Sequence, residues 1–332
     1  MRMIRPVALA VLTAGSLLVP GCGGGGGAAS SSTGGGGAPV VCIMSEFRTR
    51  ADGVPGLART YDPAFATANY KDIGSTAEAG IAGGQCAAGE VFTTDSAISA
   101  NNLYVLRDDR GLFPPDNVGL VVRAPVLQQH PGIAAIMAPV AARITTDEIT
   151  KLNRAVEVDK HPVGEVAQQW LQRNGLLDAA PAASGAGSAA CPVSAAAVDG
   201  GGAQLKIGSK PFAEEELLAS IAKLVLGRHG YAVDDSVRAA DPAIDRALRD
   251  GTVDMLWQYT GTELQEFLGV KHPPAALDAA FEEARSRDEP GGLCWTAPAP
   301  MDDTNGLAIR AADQGRYGST LTAFGQYLAS HR

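Results

Sequence analysis

The sequence between residues 205 and 257 alternates short apolar runs with amphipathic stretches. The runs at 205–208, 231–233 and 253–257 have the length of strands, and apolar residues recur at three- and four-residue spacing over 212–225. A second helix is predicted to begin at Asp241-Pro242 and to stop at Gly251. Three strands alternating with two helices predict a parallel sheet with right-handed crossovers, and therefore an α/β fold.

A segment rich in Ala, Gly and Ser, residues 178–204, precedes this region. It has neither helical nor strand periodicity, and we interpret it as a linker. It divides the chain after the leader into blocks at 41–177 and 205–332. Two amphipathic helices are predicted near the end of the first block, one beginning at Thr145 and the other at Pro162.

The N-terminus is typical of an exported protein. Two arginines precede a short apolar stretch, which predicts a signal peptide at 1–21. The sequence around Cys22 resembles a bacterial lipobox, so Cys22 is predicted to be diacylated, with secretion without a lipid as the alternative. The glycine-rich residues that follow predict a flexible tether at 22–40. We therefore expect an extracytoplasmic protein held to the cell membrane by a lipid anchor.

Four cysteines remain after the lipobox: Cys42, Cys86, Cys191 and Cys294. An even number outside the cytoplasm favours disulfides, and the residues alone leave three pairings open. Free buried thiols are the alternative.

Charge and motif content exclude several functional classes. The chain has 27 basic and 36 acidic residues without a cationic run, which argues against a nucleic-acid-binding surface. Its 5 histidines lie far apart, so no metal site is predicted. Ser220 and Lys223 match a Ser-x-x-Lys nucleophile signature, but the companion motifs are absent and we attribute the match to chance. The sequence predicts neither an enzyme nor a cofactor.

Several phrases together resemble the substrate-binding proteins of ABC importers for glycine betaine, choline and related compatible solutes. The phrases are Ile207-Gly208-Ser209-Lys210-Pro211-Phe212 with Glu214, Gln258-Tyr259-Thr260-Gly261-Thr262, Arg50-Ala51-Asp52-Gly53-Val54-Pro55-Gly56-Leu57, Phe92-Thr93-Thr94-Asp95 and the segment from Leu106 to Pro115. The resemblance implies a two-lobed fold of the type II periplasmic-binding-protein class with a central ligand cleft. It also implies a monomer that delivers a small ligand to ABC permease subunits without altering it.

The phrases occur in an order different from that of the family, so the chain resembles a circularly permuted member; a fusion artefact is the alternative. The resemblance places 104–177 and 205–310 in a larger lobe. It places 41–103 and 311–332 in a smaller lobe. Because Cys42 and Cys86 then share the smaller lobe, the resemblance favours the pairs Cys42–Cys86 and Cys191–Cys294.

The resemblance also implies a ligand site with an anionic and a cationic half. Lys210, Thr262 and Arg50 match the residues that hold the ligand carboxylate, which needs charge-assisted donors. Thr94, within the phrase that begins at Phe92, is a further predicted ligand-binding residue.

The cationic half departs from the family pattern. Of the four tyrosines that enclose a quaternary ammonium, Tyr259 is present, and Phe92, Asp116 and Asn305 stand at the other positions. Two aromatic faces with a carboxylate and an amide suit a cation that donates hydrogen bonds. We therefore predict a zwitterionic ligand, related to glycine betaine or derived from an amino acid, whose protonated nitrogen pairs with Asp116. A surface lipoprotein that uses the same fold as a sensor or interaction module is the alternative function.

Overall fold

The computed structural model describes residues 38–73, 77–182, 187–195 and 199–331. The predicted signal peptide, the lipidated Cys22 and the tether up to residue 37 lie outside the described residues. The strands are β1 (Val40–Ile43), β2 (Asn69–Asp72), β3 (Ala88–Phe92), β4 (Leu103–Val105), β5 (Val118–Arg123), β6 (Gln204–Ser209), β7 (Ala232–Arg238), β8 (Met255–Tyr259), β9 (Leu293–Pro298) and β10 (Asn305–Arg310).

Helices connect these strands and cover both faces of the sheets. They are α1 (Val54–Thr60), α2 (Ala64–Thr67), α3 (Glu78–Ala82), α4 (Ser96–Ala100), α5 (Ala124–Gln129), α6 (Gly132–Ala141), α7 (Thr146–Glu157), α8 (Val163–Arg173), α9 (Ala213–Arg228), α10 (Ala243–Asp250), α11 (Thr260–Thr262), α12 (Leu277–Asp288), α13 (Gln314–Tyr317) and α14 (Leu321–Ser330). A π-helix at Glu263–Phe267 continues α11, and short 3-10 turns occupy Glu46–Arg48, Glu289–Gly291 and Ala311–Asp313. No described helix has the length and apolarity needed to cross a membrane.

The strands form two five-stranded sheets of the same design. The first has the order β2-β1-β3-β10-β4 and the second the order β7-β6-β8-β5-β9. In each sheet three parallel strands are followed by one that runs antiparallel, β10 in the first and β5 in the second. The predicted two-lobed α/β fold is confirmed, and so is the parallel arrangement of β6, β7 and β8.

Each sheet has an apolar core on both of its faces, because successive strand residues point to opposite sides. In β1, Val41 and Ile43 belong to a core with Phe47, whereas Cys42 belongs to a second core with Ile81. In the second sheet, β5 contributes alternate residues to two further cores. Helices on both faces bury these surfaces, as expected of doubly wound sheets.

The ends of the predicted helices follow local capping chemistry. The Thr145 side chain accepts a hydrogen bond from the Glu148 amide at 3.2 Å and begins α7. Gly251 takes the left-handed conformation that ends α10. The apolar spacing over 212–225 predicts that Phe212 lies on the apolar face of α9, and this prediction is wrong. Phe212 has extended backbone angles at the N-cap of that helix and is 42% exposed.

Both favoured disulfides are formed, Cys42–Cys86 with Cα atoms 5.8 Å apart and Cys191–Cys294 with Cα atoms 5.6 Å apart. The second fastens the described part of the linker to β9. The linker also hydrogen-bonds to the α6 region, since the Ala182 amide donates to the Ala135 carbonyl at 2.9 Å.

Two segments carry the chain between the sheets, residues 106–117 and 299–304, and we call them the crossing segments. They are hydrogen-bonded to each other: the Asp116 amide donates to Asp302 Oδ1 at 2.8 Å, and Thr304 Oγ1 donates to the Pro114 carbonyl at 2.7 Å. The boundaries expected near residues 103 and 310 differ from these crossings. Because β10 pairs with β3 and β4, residues 305–310 lie in the first sheet, with the smaller lobe.

Candidate ligand-binding site

A cavity of about 420 Å³ is lined by residues from both sheets and from both crossing segments. The strands β3, β6 and β8 direct their carboxyl ends toward it, where ligands bind in open α/β sheets. Six of the eight predicted ligand-binding residues line this cavity: Phe92, Thr94, Asp116, Lys210, Tyr259 and Thr262. The structure therefore brings together residues that lie far apart in the sequence.

Arg50 and Asn305 do not line this cavity. The Arg50 guanidinium forms a two-pronged ion pair with Asp52, with Nη2 to Oδ2 at 2.8 Å and Nε to Oδ1 at 3.1 Å. In the amide orientation that satisfies its neighbours, Asn305 accepts from Arg50 Nη2 at 3.1 Å and donates to Glu90 Oε1 at 3.2 Å. Asn305 thus links Arg50 to Glu90, and an aromatic cage at this position is absent from the described residues.

The Asp116 carboxylate faces the start of α11. Its Oδ1 accepts from the amide of Gly261 at 2.6 Å and from that of Thr262 at 3.2 Å, and Thr262 Oγ1 donates to Oδ2 at 3.3 Å. Burial raises the pKa of Asp116 to about 7, although the nearby Lys210 ammonium and these hydrogen bonds oppose the rise. An acidic side chain of the protein therefore occupies Thr262, one of the three residues that the resemblance assigns to a ligand carboxylate.

Lys210 follows β6 and is buried, with 7% of its surface exposed. Its ammonium lies 3.1 Å from Asp241 Oδ2, 3.1 Å from Gln258 Oε1 and 3.8 Å from Glu215 Oε1. It also lies 4.6 Å from the centroid of the Tyr259 ring. Burial alone would lower the pKa of Lys210, but these carboxylates and Asp116 together raise it above its ordinary value. The side chain is therefore a fully charged cation.

Crowded carboxyl groups dominate the rest of the lining. Burial raises the pKa of Asp95 to about 9, and a hydrogen bond with Glu78 adds to the rise. Burial raises the pKa values of Glu214 and Asp303 as well; the charge of Glu157 adds to the rise at Glu214, and the charge of Glu214 adds to the rise at Asp303. The cavity holds more negative charge than its own cation can balance, so some of these groups keep a proton at neutral pH.

Several lining residues escaped the sequence analysis as site residues. Glu214 and Asp95 lie within the quoted phrases, and this position could have identified them as site residues. Asn153 and Glu157 come from the last turns of α7, and nothing in the sequence marks them. Phe212, which also lines the cavity, was counted only among the apolar residues at helical spacing.

Asn153 has an unusual hydrogen-bonding state. Its Nδ2 donates to Glu214 Oε2 at 2.7 Å and to the Thr94 carbonyl at 3.3 Å. Its buried Oδ1 has no hydrogen-bond partner among the described residues. An acceptor left without a donor in a buried position is energetically unfavourable, so this oxygen has the chemistry to receive an N–H group from a ligand.

The carboxyl side chains of the lining are not grouped as the ligands of a metal ion would be. Within the described ranges, no group of three or more His, Cys, Asp or Glu side chains could hold a metal ion. The site is instead suited to a small organic molecule, for which about 420 Å³ is an ordinary volume.

Residues 30–173 and 203–322 match the model of a protein family described as the substrate binding domain of an ABC-type glycine betaine transport system. An ergothioneine transport permease/ergothioneine binding protein of Helicobacter pylori (strain G27) is 32% identical over 131 residues, which cover 40% of this chain and 24% of that protein. A glycine-betaine-binding protein of Pseudomonas aeruginosa is 30% identical over 142 residues, 42% of this chain and 45% of that protein. The chain thus spans less than half the length of these relatives.

A solved phosphate-binding protein of a phosphate ABC transporter from Streptococcus pneumoniae TIGR4 aligns with 89% of this chain and 96% of its own. The two share 9% sequence identity, with a TM-score of 0.42.

Proposed function

This chain belongs to the family of substrate-binding domains of ABC-type glycine betaine transport systems, and we propose that it captures a small, positively charged nitrogenous solute for an ABC permease. The charge of the cavity carries this proposal. A single ammonium, that of Lys210, lines the cavity within the described residues, together with six carboxyl side chains. These are Asp95, Asp116, Glu157, Glu214, Asp241 and Asp303.

A cationic ligand resolves the electrostatic problem that this cavity presents. Buried carboxylates without a compensating positive charge are unfavourable, and the raised pKa values of Asp95 and Asp303 reflect that cost. A ligand nitrogen would provide the missing positive charge. The aromatic faces of Phe92 and Phe212 would add cation–π attraction. This supports the cationic half of the zwitterionic ligand predicted from the sequence.

The two-sheet architecture supports capture by closure of the lobes. A ligand that contacts residues of both sheets favours the closed arrangement, because that arrangement makes more contacts with it. The crossing segments are the natural hinge. The hydrogen bond from Asn153 Nδ2 to the Thr94 carbonyl already joins the two sides across the cavity. Closure would present both lobes to the permease and requires no chemical change in the ligand.

The location of the protein is part of the proposal. The family assignment supports a position outside the cytoplasm, the N-terminal sequence supports an anchor through a lipid on Cys22, and the family resemblance supports a monomer. Membrane fractionation tests the anchor: the wild-type protein is expected in the membrane fraction and the Cys22→Ala variant in the soluble fraction. Equal distribution of the two would contradict lipidation.

Circular permutation also remains a proposal. The family model matches two segments that flank residues 174–202. This gap falls in the linker, where the joined ends of an ancestral chain would lie. The Cys191–Cys294 disulfide would then fix the added connection to the second sheet.

The decisive test is a binding screen of the purified protein at pH 8. We would measure melting temperature and heat of binding with glycine betaine, choline, carnitine, ectoine, proline, amino acids and small amines. A ligand at 100 times its Kd stabilises the folded state by about 2.7 kcal/mol. We expect stabilisation by one or more cations, and none by uncharged or purely anionic solutes.

Two matched variants locate the binding site. Asp303→Asn removes one cavity carboxylate and should weaken binding of the cation. Asp278→Asn makes the same change at the exposed start of α12 and should leave binding unchanged. If no solute binds, capture is wrong and the sensor or interaction role takes its place. If Asp303→Asn binds as wild type does, the cavity is not the site.

A further inference from the structure

The cavity has an unequal supply of hydrogen-bond donors and acceptors. Five lining side chains carry hydroxyl, amide or ammonium donors: Thr94, Asn153, Lys210, Tyr259 and Thr262. A ligand carboxylate needs donors of this kind, and a protonated amine needs acceptors. The existing partners of these five residues therefore decide which ligand chemistry the site can take.

Three of the donors are used by cavity carboxyl groups. Thr94 Oγ1 donates to Asp303 Oδ1 at 2.6 Å, and the Tyr259 hydroxyl donates to Glu214 Oε1 at 2.6 Å. Asn153 Nδ2 donates to the other Glu214 oxygen at 2.7 Å and to the Thr94 carbonyl at 3.3 Å. Each of these groups is held by the protein's own acceptors.

The Lys210 ammonium is similarly engaged. Its three hydrogens face Asp241, Gln258 and Glu215 at 3.1, 3.1 and 3.8 Å. Its remaining side lies against the Tyr259 ring. A ligand carboxylate would have to displace at least one of these partners, two of which are themselves carboxylates, so the exchange offers little gain.

The last donors belong to the start of α11, and Asp116 holds them. The amides of Gly261 and Thr262 and the Thr262 hydroxyl all point to the Asp116 carboxylate, at 2.6, 3.2 and 3.3 Å. Of these two residues, Thr262 is the one that the family resemblance assigns to the carboxylate of the ligand. The side chain of Asp116 supplies that carboxylate from within the protein.

Acceptors, in contrast, remain available. Asn153 Oδ1 is buried and unpartnered among the described residues. The Glu157 carboxylate lines the cavity and accepts from the Ser96 hydroxyl through one oxygen, Oε2, at 2.8 Å. Phe92 and Phe212 contribute aromatic side chains to the same lining.

We infer that Asp116 is a specificity-determining residue that takes the place of the ligand carboxylate, and that the ligand is a small organic cation with N–H donors and no carboxylate. Amines and guanidines form this class. The inference rests on the proposed function, since it concerns the same cavity. It narrows the zwitterionic prediction from the sequence to its cationic half.

Matched pairs that differ by one carboxylate test the inference on the wild-type protein. Suitable pairs are agmatine with arginine, putrescine with ornithine, and ethanolamine with serine, measured by calorimetry at pH 8. For the pair that fits the cavity, the amine is expected to bind at least about tenfold more tightly, as the loss of a charged hydrogen-bonding partner predicts. Tighter binding of the amino acid would overturn the inference and leave capture intact. Binding of no member of any pair, nor of any cation in the screen, would overturn both.

Two substitutions then test Asp116 itself. Asp116→Ala frees the three donors, so the amino acid of the pair should gain about tenfold in affinity while the amine loses a similar factor. Asp116→Asn keeps an acceptor on these donors and should not gain affinity for the amino acid. Melting temperatures establish that both variants fold. If Asp116→Ala prefers the amine over the amino acid as strongly as the wild type does, the proposed role of Asp116 is overturned. If Asp116→Ala does not fold, the comparison of amine with amino acid in the wild-type protein still decides the inference.

Discussion

The ammonium of Lys210 lies 4.6 Å from the centroid of the Tyr259 ring. In the related binding sites a ring at this position is expected to receive the cation of the ligand. Here the ammonium of Lys210 contacts the ring in place of a ligand cation. In the same way, the Asp116 carboxylate accepts the hydrogen bonds that Thr262 donates. The cavity therefore contains an internal pair of opposite charges, and this pair restricts what can enter.

Replacing Lys210 with Met should destabilise the protein, because Glu215 would remain buried without its cation. We expect the free energy of unfolding to fall by about 3 kcal/mol. The loss should be larger at pH 9 than at pH 6, since the pKa of Glu215 is about 8 and its charge appears above that value. Urea unfolding measures both effects. Lys223→Met removes an exposed ion pair with Asp235 and should cost less than about 1 kcal/mol.

The stability of the ligand-free protein should decrease between pH 5 and pH 8. Folding raises the pKa of Asp116 from 3.8 to about 7, so the folded state binds a proton more tightly than the unfolded state. The protonated Asp116 side chain stabilises the folded state fully when the pH is below 3.8, the pKa in the unfolded chain. This stabilisation is lost as the pH rises through the folded-state pKa of about 7. Because Lys210 and Asp302 face this carboxyl, their charges are part of the shift. Thermal unfolding of Asp116→Asn should show a flatter pH profile, and a profile as steep as wild type would contradict this account.

Replacing Phe212 with Ala should weaken cation binding without affecting folding. The ring lines the cavity yet is 42% exposed, so it contributes an aromatic face and little core packing. Affinity should fall by about threefold to thirtyfold, the range of a cation–π contact, with an unchanged melting temperature. Val158→Ala alters another side chain that is 42% exposed and should change neither quantity. A large loss of stability in Phe212→Ala would mean that the ring packs in the hydrophobic core.

Replacing Arg50 with Ala should change the affinity for an amine by less than about twofold, because no charged hydrogen bond to the ligand is lost. Its guanidinium is bound to Asp52 and contacts Asn305 rather than the cavity. Arg59→Ala, at an exposed position, provides the control for net charge. A loss above tenfold, seen by calorimetry, would mean that lobe closure brings Arg50 to a ligand carboxylate.

Removing the Cys191–Cys294 disulfide by a double alanine substitution should lower the free energy of unfolding by about 3–5 kcal/mol. The bridge spans 103 residues, against 44 for Cys42–Cys86. The entropic effect should therefore be larger by less than about 1 kcal/mol for the longer loop. Urea unfolding of both double variants compares them. An unchanged stability would mean that the linker is fixed by its hydrogen bonds alone.

The sequence patterns were sufficient for the elements around the site. The β6–α9–β7–α10–β8 order follows from periodicity and from Gly251, and the start of α7 follows from the cap at Thr145, all of which are local signals. Phe212 was misplaced because its spacing fits a helical face, while the chain turns at that residue before the helix begins.

The orientation of the site charges could not be predicted in the same way. Asp116 meets Gly261 across 145 positions in the sequence, so the contact depends on how the crossing segments pass the second sheet. The sequence places Gly261 within a quoted motif and Asp116 directly after another, but it could not predict that they are in contact. Arg50 illustrates the converse, because its partner Asp52 lies only two residues away and competes with any ligand.

The crossing segments have one more consequence. Asp116 belongs to one and Asp303 to the other, and the Asp303 amide donates to the Asp116 carbonyl at 3.2 Å. In the proposed closing motion, the backbone that serves as the hinge would thus carry two of the six acidic groups of the cavity. In that motion, a substitution of Asp116 or Asp303 that alters selectivity would also alter the ease of closing, so affinity and release rate would change together.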